Sequence, residues 1–428
     1  MAETKIIIER AILTKIRSWF GKEKILILKG ARQVGKTTIL KQIKQELEQN
    51  KQKAIYFSLD AEISNPIFKE PRLFIKFLED QFADAYLYVL LDEFQYLDQA
   101  GVFLKVVFDE LKAKVQLIIS GSSSLEITKN TEFLTGRKIE FSVATFNFKE
   151  YLTAKTSLKL DQIFNLANFQ ELRDFNQIYS NQLQTNFVDY LTYGGYPEVV
   201  LETNSEHKEL ILKELITTYL QKDISGFLKI ENISGFNNLI RVLAAQIGNL
   251  VNKSELSNTL NLSYETLNKY LDMLAGTYVF NFVSPFAQNV RKELAKMPKI
   301  FINDLGIKKI VLREGTQLDY DFIAGSAIEN YVYLGLKQQF DADNIYFYRT
   351  ISKSEIDFVV QNQEKLILIE SKFTNKVSLN IPKAFAKFVL HYPNIEAEII
   401  LTKNTLDFDK EKNLFLLPVY LWEFLKLN

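Results

Sequence analysis

Eight residues near the N-terminus have the types and the spacing of a loop that binds phosphate groups. Residues 30–37 fit the pattern Gly-x-x-x-x-Gly-Lys-Thr, between the unbroken apolar run of residues 25–28 and an amphipathic stretch that predicts a helix. Glycines let successive backbone N–H groups surround a phosphate at a helix N-terminus, where the helix dipole favours negative charge. The lysine would reach the β- and γ-phosphates and the first threonine would coordinate Mg²⁺, so the pattern predicts that a nucleoside triphosphate binds here. The expected contacts come from Gly30, Ala31, Arg32, Gln33, Val34, Gly35, Lys36, Thr37 and Thr38.

An acidic pair follows the second apolar run of the sequence. Residues 86–91 are apolar, and Asp92 and Glu93 follow them directly. Carboxylates at the carboxyl end of a buried strand lie where an open α/β sheet places its ligand site. Asp92 would hold the Mg²⁺ through its water shell, and Glu93 would polarise the attacking water as general base. Two solvated acids at a strand end would give the same pattern, but the position after a phosphate-binding loop favours the catalytic interpretation.

A third apolar run, at residues 115–119, ends in a serine-rich segment at residues 120–124. The hydroxyls of this segment would sense the γ-phosphate from a neighbouring strand, and Ser122 is the expected contact. An ordinary polar loop with a helix N-cap would have the same composition. Residues 54–59 supply another strand-like run. Strands that alternate with helical patterns predict an α/β domain with a parallel sheet over residues 1–150.

These motifs resemble those of prokaryotic P-loop ATPases of the extended AAA type, in which an AAA+ or ASCE-like P-loop NTPase domain is joined to a C-terminal domain of uncharacterised role. The likeness covers almost the whole chain and rests on residues 30–38, 91–93, 120–123, 134–137 and 193–197. It implies that the nucleotide is ATP, that the first two segments have Walker A and Walker B roles, and that the third is a sensor. It also implies that Arg137 touches the γ-phosphate, within one chain or across a subunit boundary of a homo-oligomer. An exposed arginine at this position would otherwise be a surface charge.

The overall composition excludes several classes of protein and site. The 428 residues contain 52 Lys and Arg against 52 Asp and Glu, so no net charge steers the chain towards nucleic acid or an anionic membrane. No cysteine and two histidines exclude disulfides and thiolate or imidazole zinc sites, which leaves oxygen ligands for any metal. Charges interrupt the N-terminal stretch, and no run approaches the roughly 18 apolar residues of a membrane helix. We therefore expect a cytoplasmic protein of roughly two to four domains without a membrane partner.

The middle of the chain, residues 151–300, is predicted to be a helical module that contains a winged helix. Residues 193–197 form its sharpest break, where two glycines precede Pro197 at the expected start of a helix, and we interpret this segment as a structural hinge. Residues 254–260 and 264–274 have helix-turn-helix spacing. The outward face of the second helix is mixed in charge, which favours structural use or protein contact over DNA reading. The better basic candidates are Arg291, Lys292, Lys296 and Lys299.

Four charged residues in the last third lie on a predicted helix and two predicted strands. Asp357 interrupts an apolar strand-like segment, and Glu370 and Lys372 lie two apart on the next one, so that both side chains share a face. With Glu329 on a predicted helix, they resemble the PD-(D/E)XK nuclease superfamily, which implies a restriction-endonuclease-like α/β fold over residues 301–428. Asp357 and Glu370 would bind Mg²⁺ or Mn²⁺, Lys372 would orient or help deprotonate the attacking water, and Glu329 would bind metal or position a ligating water. Glu-x-Lys also occurs as an exposed cross-strand charge pair.

Two functions of different classes remain open for the whole chain. In the first, binding and hydrolysis of ATP control a C-terminal nuclease that acts on DNA or RNA. In the second, the chain is an ATP-dependent switch or protein-interaction module whose C-terminal domain binds without cutting, because such folds also serve as binding scaffolds. ATP and Mg²⁺ are the expected cofactors in both.

Overall fold

The polypeptide is divided between two units, each with its own core. The computed structural model describes residues 8–62, 64–82, 85–121, 134–156, 160, 162–218, 230–287, 297–315, 318–375 and 377–427. The first unit contains Met1–Phe146, Tyr196–Glu198 and Gly276–Tyr278, and the second contains Asn147–Gly195, Val199–Ala275 and Val279–Asn428. The division into three domains at residues 150 and 300 stays a prediction.

The described part of the first unit is built around five parallel strands, four of which correspond to the apolar runs of the sequence. The strands are β1 (Ile25–Lys29), β2 (Lys53–Ser58), β3 (Leu87–Asp92), β4 (Val115–Gly121) and β5 (Lys138–Ser142). The helices are α1 (Ile12–Arg17), α2 (Lys36–Gln49), α3 (Pro71–Phe82) and α4 (Ala100–Leu111). β3 and β4 are buried along their whole length, as is typical of parallel strands whose two faces are both covered. The predicted α/β class with a parallel sheet is confirmed for this part of the chain.

The strand order β2–β3–β4–β1–β5 places β4 between the two strands that carry the predicted motifs. β1 pairs with β4 so that Lys29 is opposite Gly121, and β2 pairs with β3 so that Ser58 is opposite Asp92. The carboxyl ends of these strands therefore meet at one edge of the sheet. Because ligands bind at this edge in open α/β sheets, the fold brings Asp92 and the phosphate-binding loop to the same place.

Aromatic side chains fix this sheet against α3 and α4. Phe74 is fully buried, and its ring centroid lies 6.0 Å from that of Phe57 on β2 and 5.6 Å from that of Phe103 on α4. Truncation of such a side chain to alanine costs roughly 3–5 kcal/mol. The core thereby holds the strands whose ends carry the polar residues described below.

Most of the described residues between 147 and 312 are helical. Its helices are α5 (Phe148–Lys155), α6 (Phe169–Tyr193), α7 (Pro197–Leu201), α8 (Ser205–Thr217), α9 (Ile233–Ala245), α10 (Lys253–Leu260), α11 (Tyr264–Gly276) and α12 (Leu305–Leu312). Its strands are β6 (Phe164–Asn165) and the antiparallel pair β7 (Phe280–Val283) and β8 (Lys299–Ile302). The predicted helix pair is present as α10 and α11, and Ser263 Oγ caps α11 by accepting from the Thr266 N–H at 3.1 Å. Within the described ranges, no helix is both long enough and apolar enough to cross a membrane.

The last third contains a six-stranded mixed sheet with the order β13–β14–β12–β11–β10–β9. Its elements are α13 (Gly325–Gln339), β9 (Ile345–Arg349), β10 (Glu355–Asn362), β11 (Lys365–Lys372), α14 (Lys383–Val389), β12 (Ile395–Thr402), β13 (Asp407–Asp409) and β14 (Leu414–Pro418), with the short β15 (Leu425–Lys426) paired to β6. β9, β10 and β11 are antiparallel, and β12 runs parallel to β11. The two predicted strands are β10 and β11, and the predicted helix around Glu329 is α13.

Candidate functional site

The geometry of the phosphate-binding loop requires its two glycines. α2 begins at Lys36, and Gly35 precedes it with a φ of 97°, a left-handed conformation that favours glycine. At Gly30, a Cβ atom would collide with the backbone carbonyl oxygen of Val143. The loop turns directly into α2, so its N–H groups lie at a helix N-terminus, where phosphate groups bind in other proteins. Residues 30–37 thus have the strand, loop and helix context that their pattern predicts.

Lys36 is a buried cation that contacts carbonyl groups of its own loop. The residue is 4% exposed, and Nζ donates to the backbone oxygens of Gly30 at 3.0 Å and Ala31 at 2.8 Å. Burial lowers the pKa of Lys36 to about 8, against the opposing influence of Glu93 and Asp92. Carbonyl dipoles compensate a buried ammonium less well than an anion does. The site is therefore suited to a ligand that carries negative charge, such as a phosphate group.

Asp92 ends β3, and two hydroxyl groups fix its carboxylate. Oδ2 accepts from the Tyr56 hydroxyl at 2.9 Å, and Oδ1 accepts from the Ser120 hydroxyl. Ser120 Oγ also accepts from the backbone N–H of Glu93 at 3.3 Å. Because Tyr56 lies on β2 and Ser120 on β4, three neighbouring strands hold this one acid. Sequence reasoning missed Tyr56, since an aromatic residue in a strand is ordinarily part of a core.

Glu93 leaves the strand in a left-handed conformation, with a φ of 53°. This conformation is uncommon for a residue with a side chain, and such residues cluster at functional turns. Glu93 Oε2 accepts from Gln95 Nε2, and the Glu93 carboxylate is close enough to Lys36 to influence its pKa. A candidate base, a candidate metal ligand and a buried cation therefore share one edge of the sheet.

Arg10 holds the phosphate-binding loop against the segment that follows β5, and sequence reasoning missed it as well. Its Nη1 donates to the Val34 oxygen at 2.8 Å, and its Nη2 donates to the oxygens of Ala144 at 2.7 Å and Thr145 at 3.3 Å. The guanidinium also lies 4.9 Å from the centroid of the Phe146 ring. The feature of the sequence that could have identified Arg10 is its charge, which interrupts an otherwise apolar helical pattern.

The other predicted nucleotide contacts lie along the same loop and helix, with one exception. Thr37 and Thr38 occupy the first turn of α2, where Thr37 is half-buried and Thr38 is exposed. Arg32 is half-buried and Gln33 is exposed within the loop. Ser122 lies outside the described residues.

Arg137 lies at the edge of the sheet opposite to the phosphate-binding loop. It directly precedes β5, and its backbone oxygen accepts from the N–H of Ile25 at the start of β1. The loop follows the other end of β1, about 15 Å away along the strand. The side chain pairs with Asp109 on α4, with Nε 2.7 Å from Oδ1. This placement corrects the prediction that Arg137 reaches a γ-phosphate within its own chain; contact across a subunit boundary stays a prediction.

The four residues of the predicted nuclease-like site come together on α13, β10 and β11. The pairing of β10 with β11 sets Asp357 beside Glu370, and the Ser371 N–H donates to Asp357 Oδ2 at 2.7 Å. Lys372 Nζ lies 3.2 Å from Glu370 Oε1. Burial, followed by the neighbouring carboxylate of Glu329, raises the pKa of Asp357 to about 7. The sequence pattern therefore identified side chains that share one electrostatic environment.

Two further charged residues belong to this site. Lys299 Nζ lies 2.6 Å from Glu355 Oε1 and 3.4 Å from Glu329 Oε2. Burial opposes the ammonium, but Glu329, Asp357 and Glu355 together raise the pKa of Lys299 above its ordinary value. Lys299 is 2% exposed, so it is not available as one of the basic candidates for contact with DNA. The other basic candidates, Arg291, Lys292 and Lys296, lie outside the described residues.

The donor set of this site suits a hard divalent cation. Asp357 and Glu370 offer carboxylate oxygens, and Glu370 Oε2 is buried without a hydrogen-bond partner among the described residues. In the same described ranges, no three or more His, Cys, Asp or Glu side chains are arranged to hold a metal ion. Mg²⁺ is commonly held by one or two carboxylates, with water and phosphate oxygens as its other ligands. The residues present therefore fit a site of two carboxylates.

The glycine-rich break before α7 is tied to the start of α12 by one buried acid. Asp304 Oδ2 accepts from the Gly195 N–H at 2.8 Å, and Oδ1 accepts from the Gly306 N–H at 2.9 Å. Gly194 has a φ of 76°, and a Cβ atom there would collide with the Asp304 carboxylate. The break is thus a tight turn held by Asp304, and α7 begins at Pro197 as expected, while a role as a hinge stays a prediction.

Comparison with known families matches three parts of the chain. Residues 22–152 match the model of an AAA domain. Residues 184–318 match a domain of unknown function (DUF8612), and residues 324–422 match another domain of unknown function (DUF4143). The first match agrees with the loop, strand order and acidic pair described above.

The chain is also similar to whole proteins from distant organisms. An uncharacterized protein of Haemophilus influenzae is 23% identical over 361 residues, which cover 82% of each chain. An uncharacterized protein of Methanocaldococcus jannaschii is 25% identical over 435 residues, covering 93% of this chain and 88% of the relative. AMPPCP-bound DnaA from Aquifex aeolicus superposes with a TM-score of 0.29 at 14% identity, over 61% of this chain and 85% of that one, which is too weak to assign anything. The family match thus supports an AAA-type ATPase domain in residues 22–152, while the last third matches a family without an assigned role.

Proposed function

We propose that the chain is a Mg²⁺-dependent ATPase that couples binding and hydrolysis of ATP to a C-terminal, nuclease-like domain. The observation that carries the ATPase is the shared edge of the parallel sheet. There the pair Asp92–Glu93 lies near the buried Lys36. Lys36 is the first residue of α2, directly after the loop whose N–H groups lie at the N-terminus of that helix. The AAA-domain match over residues 22–152 supports the same function.

Each residue of the ATPase site has a role that its position supports. The loop N–H groups and the Lys36 ammonium bind phosphate oxygens, and Thr37 and Asp92 hold the Mg²⁺, Asp92 through water. A Mg²⁺ ion held there would supply positive charge to the phosphate groups. Glu93 accepts a proton from the attacking water. Ser122, which lies outside the described residues, keeps its predicted role as the sensor of the γ-phosphate.

For the last third, we propose a restriction-endonuclease-like domain that acts on DNA or RNA. The succession α13–β9–β10–β11–α14–β12, with β12 parallel to β11, supports this fold together with the residues gathered on it. Asp357 and Glu370 hold a divalent cation that polarises the phosphodiester. Lys372 orients the attacking water and favours its deprotonation, and Glu329 positions a water in the metal shell.

Phosphate release from ATP, measured with and without DNA or RNA, tests the coupling. Wild type and Asp357→Ala are compared in parallel, and nicking of the same nucleic acids with Mg²⁺ or Mn²⁺ is followed by electrophoresis. We expect nucleic acid to stimulate phosphate release and nicking to disappear in Asp357→Ala and Lys372→Ala. Turnover that is indifferent to every nucleic acid, without nicking, would contradict the coupling.

A second candidate function is an ATP-dependent switch or protein-interaction module whose C-terminal domain binds without cutting. The ion pairs of Lys299 with Glu329 and Glu355 favour it, because they neutralise part of the acidic site. We propose that α10, α11 and the β7–β8 pair form a winged helix for protein contact, since Glu265 and Asp272 are exposed on α11. Arg137 would act across a boundary of a homo-oligomer. A change of assembly with ATP in light scattering, without nicking, would support this candidate.

A further inference from the structure

The acidic cluster of the last third, defined as Glu329, Glu355, Asp357 and Glu370, already contains a cation. The Lys299 ammonium lies 2.6 Å from Glu355 and 3.4 Å from Glu329. The residue is 2% exposed, so its charge is shielded from water and depends on these carboxylates for compensation. Glu329 is one of the acids that the nuclease-like interpretation requires. The Glu329 carboxylate therefore pairs with the lysine and would also serve a divalent ion or its water shell.

Lys299 and the residues of the acidic cluster lie on different elements of secondary structure. It is the first residue of β8, which pairs only with β7 among the described strands, whereas the acids lie on α13, β10 and β11. The adjoining backbone is also close, because the Gly248 N–H donates to the Ile300 oxygen at 2.7 Å. A Cβ atom on Gly248 would lie 3.3 Å from Glu329 Oε2. The position of β8 and the charge of the acidic cluster are thus linked.

Two cations compete for the same acidic site when its carboxylates cannot neutralise the charges of both at once. An ammonium ion offers three N–H donors, and a divalent ion offers stronger attraction but must be dehydrated. Two positive charges a few ångströms apart in a partly buried site repel each other strongly. Lys299 would therefore weaken metal binding in the arrangement seen here, and a bound metal would displace the ammonium.

We propose that Lys299 is a built-in counter-cation of the acidic cluster that a divalent metal ion must displace, so that the β7–β8 pair controls metal loading of the nuclease-like site. Lys299 acts as a positioning residue through Glu329 and Glu355. The inference rests on the proposed metal-binding role of Asp357 and Glu370.

Binding of Mn²⁺ to the full chain without nucleotide tests the competition directly, with free Mn²⁺ followed by electron paramagnetic resonance. Lys299→Met removes the ammonium and keeps the length of the side chain, and it should bind Mn²⁺ at least tenfold more tightly than wild type. Asp357→Asn identifies the site, because it should lose this binding in either background. Lys337→Met is the control, since Lys337 is half-buried and contacts the amides Asn281 and Asn303 instead of carboxylates, and it should leave Mn²⁺ affinity unchanged.

A second measurement uses the wild-type chain and does not depend on the folding of a variant. A brief pulse of an amine-acetylating reagent, read by peptide mass spectrometry, reports how accessible each lysine is. Without metal, Lys299 should react slowly because it is buried. With saturating Mn²⁺, its acetylation should accelerate at least tenfold, while Lys337 serves as the internal reference and should react at the same rate with and without Mn²⁺.

Three results would overturn the inference, and they separate it from the proposed metal site. If Lys299→Met and wild type bind Mn²⁺ equally and Asp357→Asn does not, the metal site stands and the competition is refuted. If none of them binds Mn²⁺, both proposals fail. If acetylation of Lys299 is unchanged at saturating Mn²⁺, the ammonium is not displaced, whatever the folding of the variants.

Discussion

The carboxylate of Asp92 is held from both sides before any ligand arrives. Tyr56 and Ser120 each donate to one of its oxygens, so neither oxygen is free to rotate towards another partner. A carboxylate whose orientation is fixed in advance loses less conformational entropy when it binds the hydrated metal ion. At the scale of single residues, the ATPase site therefore depends on hydroxyl groups as well as on the motif itself.

Removal of one of these hydroxyls gives a test at this scale. Tyr56→Phe should lower the rate of phosphate release about 10- to 150-fold, the range expected for one hydrogen bond to a charged group, and should raise the Mg²⁺ concentration needed for half-maximal rate. Titration of phosphate release with Mg²⁺ measures both quantities. Tyr86→Phe is the control, because the buried Tyr86 hydroxyl has no hydrogen-bond partner among the described residues. Equal rates in wild type and Tyr56→Phe would contradict the orienting role.

At the scale of elements, the phosphate-binding loop depends on a contact from outside its own strand and helix. Arg10 precedes α1 and donates both to the loop and to the segment after β5. Arg10→Met should lower the unfolding free energy of the first unit by roughly 2–4 kcal/mol, because buried carbonyl groups would lose their donors. Urea unfolding followed by Trp19 fluorescence measures this effect.

The neighbouring Arg17 provides the matched comparison. Its side chain is 33% exposed and pairs with Glu46 at 2.9 Å, so Arg17→Met should change the unfolding free energy by less than about 1 kcal/mol. An equal loss in both variants would mean that Arg10 has no special part in holding the loop.

The elements themselves were predictable where a periodic pattern or a motif was long enough to specify them. The apolar runs predicted β1, β3 and β4, and the Gly-x-x-x-x-Gly-Lys-Thr pattern predicted the start of α2. The contacts of Arg10, Tyr56 and Lys299 were not predictable, because each joins residues more than 20 positions apart through tertiary packing. Charge alone made Lys299 a basic candidate for contact with DNA, whereas the structure buries it among acids.

At the scale of the whole molecule, a buried acid connects distant parts of the second unit. Glu423 Oε2 accepts from the Phe148 N–H at 2.6 Å, at the start of α5, and burial raises the pKa of Glu423 to about 8. The folded state therefore binds this proton more tightly than the unfolded state, whose glutamate pKa is about 4.3. The resulting stability is fully present below about pH 4.3 and is lost as the pH rises to about 8.

A pH series tests this contribution. Between pH 5 and pH 8, wild type should lose roughly 2–4 kcal/mol of unfolding free energy relative to Glu423→Gln, which keeps an acceptor but cannot ionise. Trp422 is fully buried next to this residue, so its fluorescence in a Trp19→Phe background reports the unfolding of the second unit. If the unfolding free energies of wild type and Glu423→Gln changed with pH in parallel, Glu423 would not be the cause of the pH dependence.

The most direct measurement of the central claim combines ATP binding with phosphate release in the presence of Mg²⁺. Wild type should bind and hydrolyse ATP. Glu93→Gln should bind ATP with an affinity similar to that of wild type but should not hydrolyse it. Lys36→Ala should bind ATP about 30- to 100-fold more weakly than wild type. Lys44→Ala, which changes a half-buried lysine of α2 that pairs with Glu48, should behave as wild type. Full turnover in Glu93→Gln would contradict the assignment of the base, and wild-type binding in Lys36→Ala would contradict the nucleotide site itself.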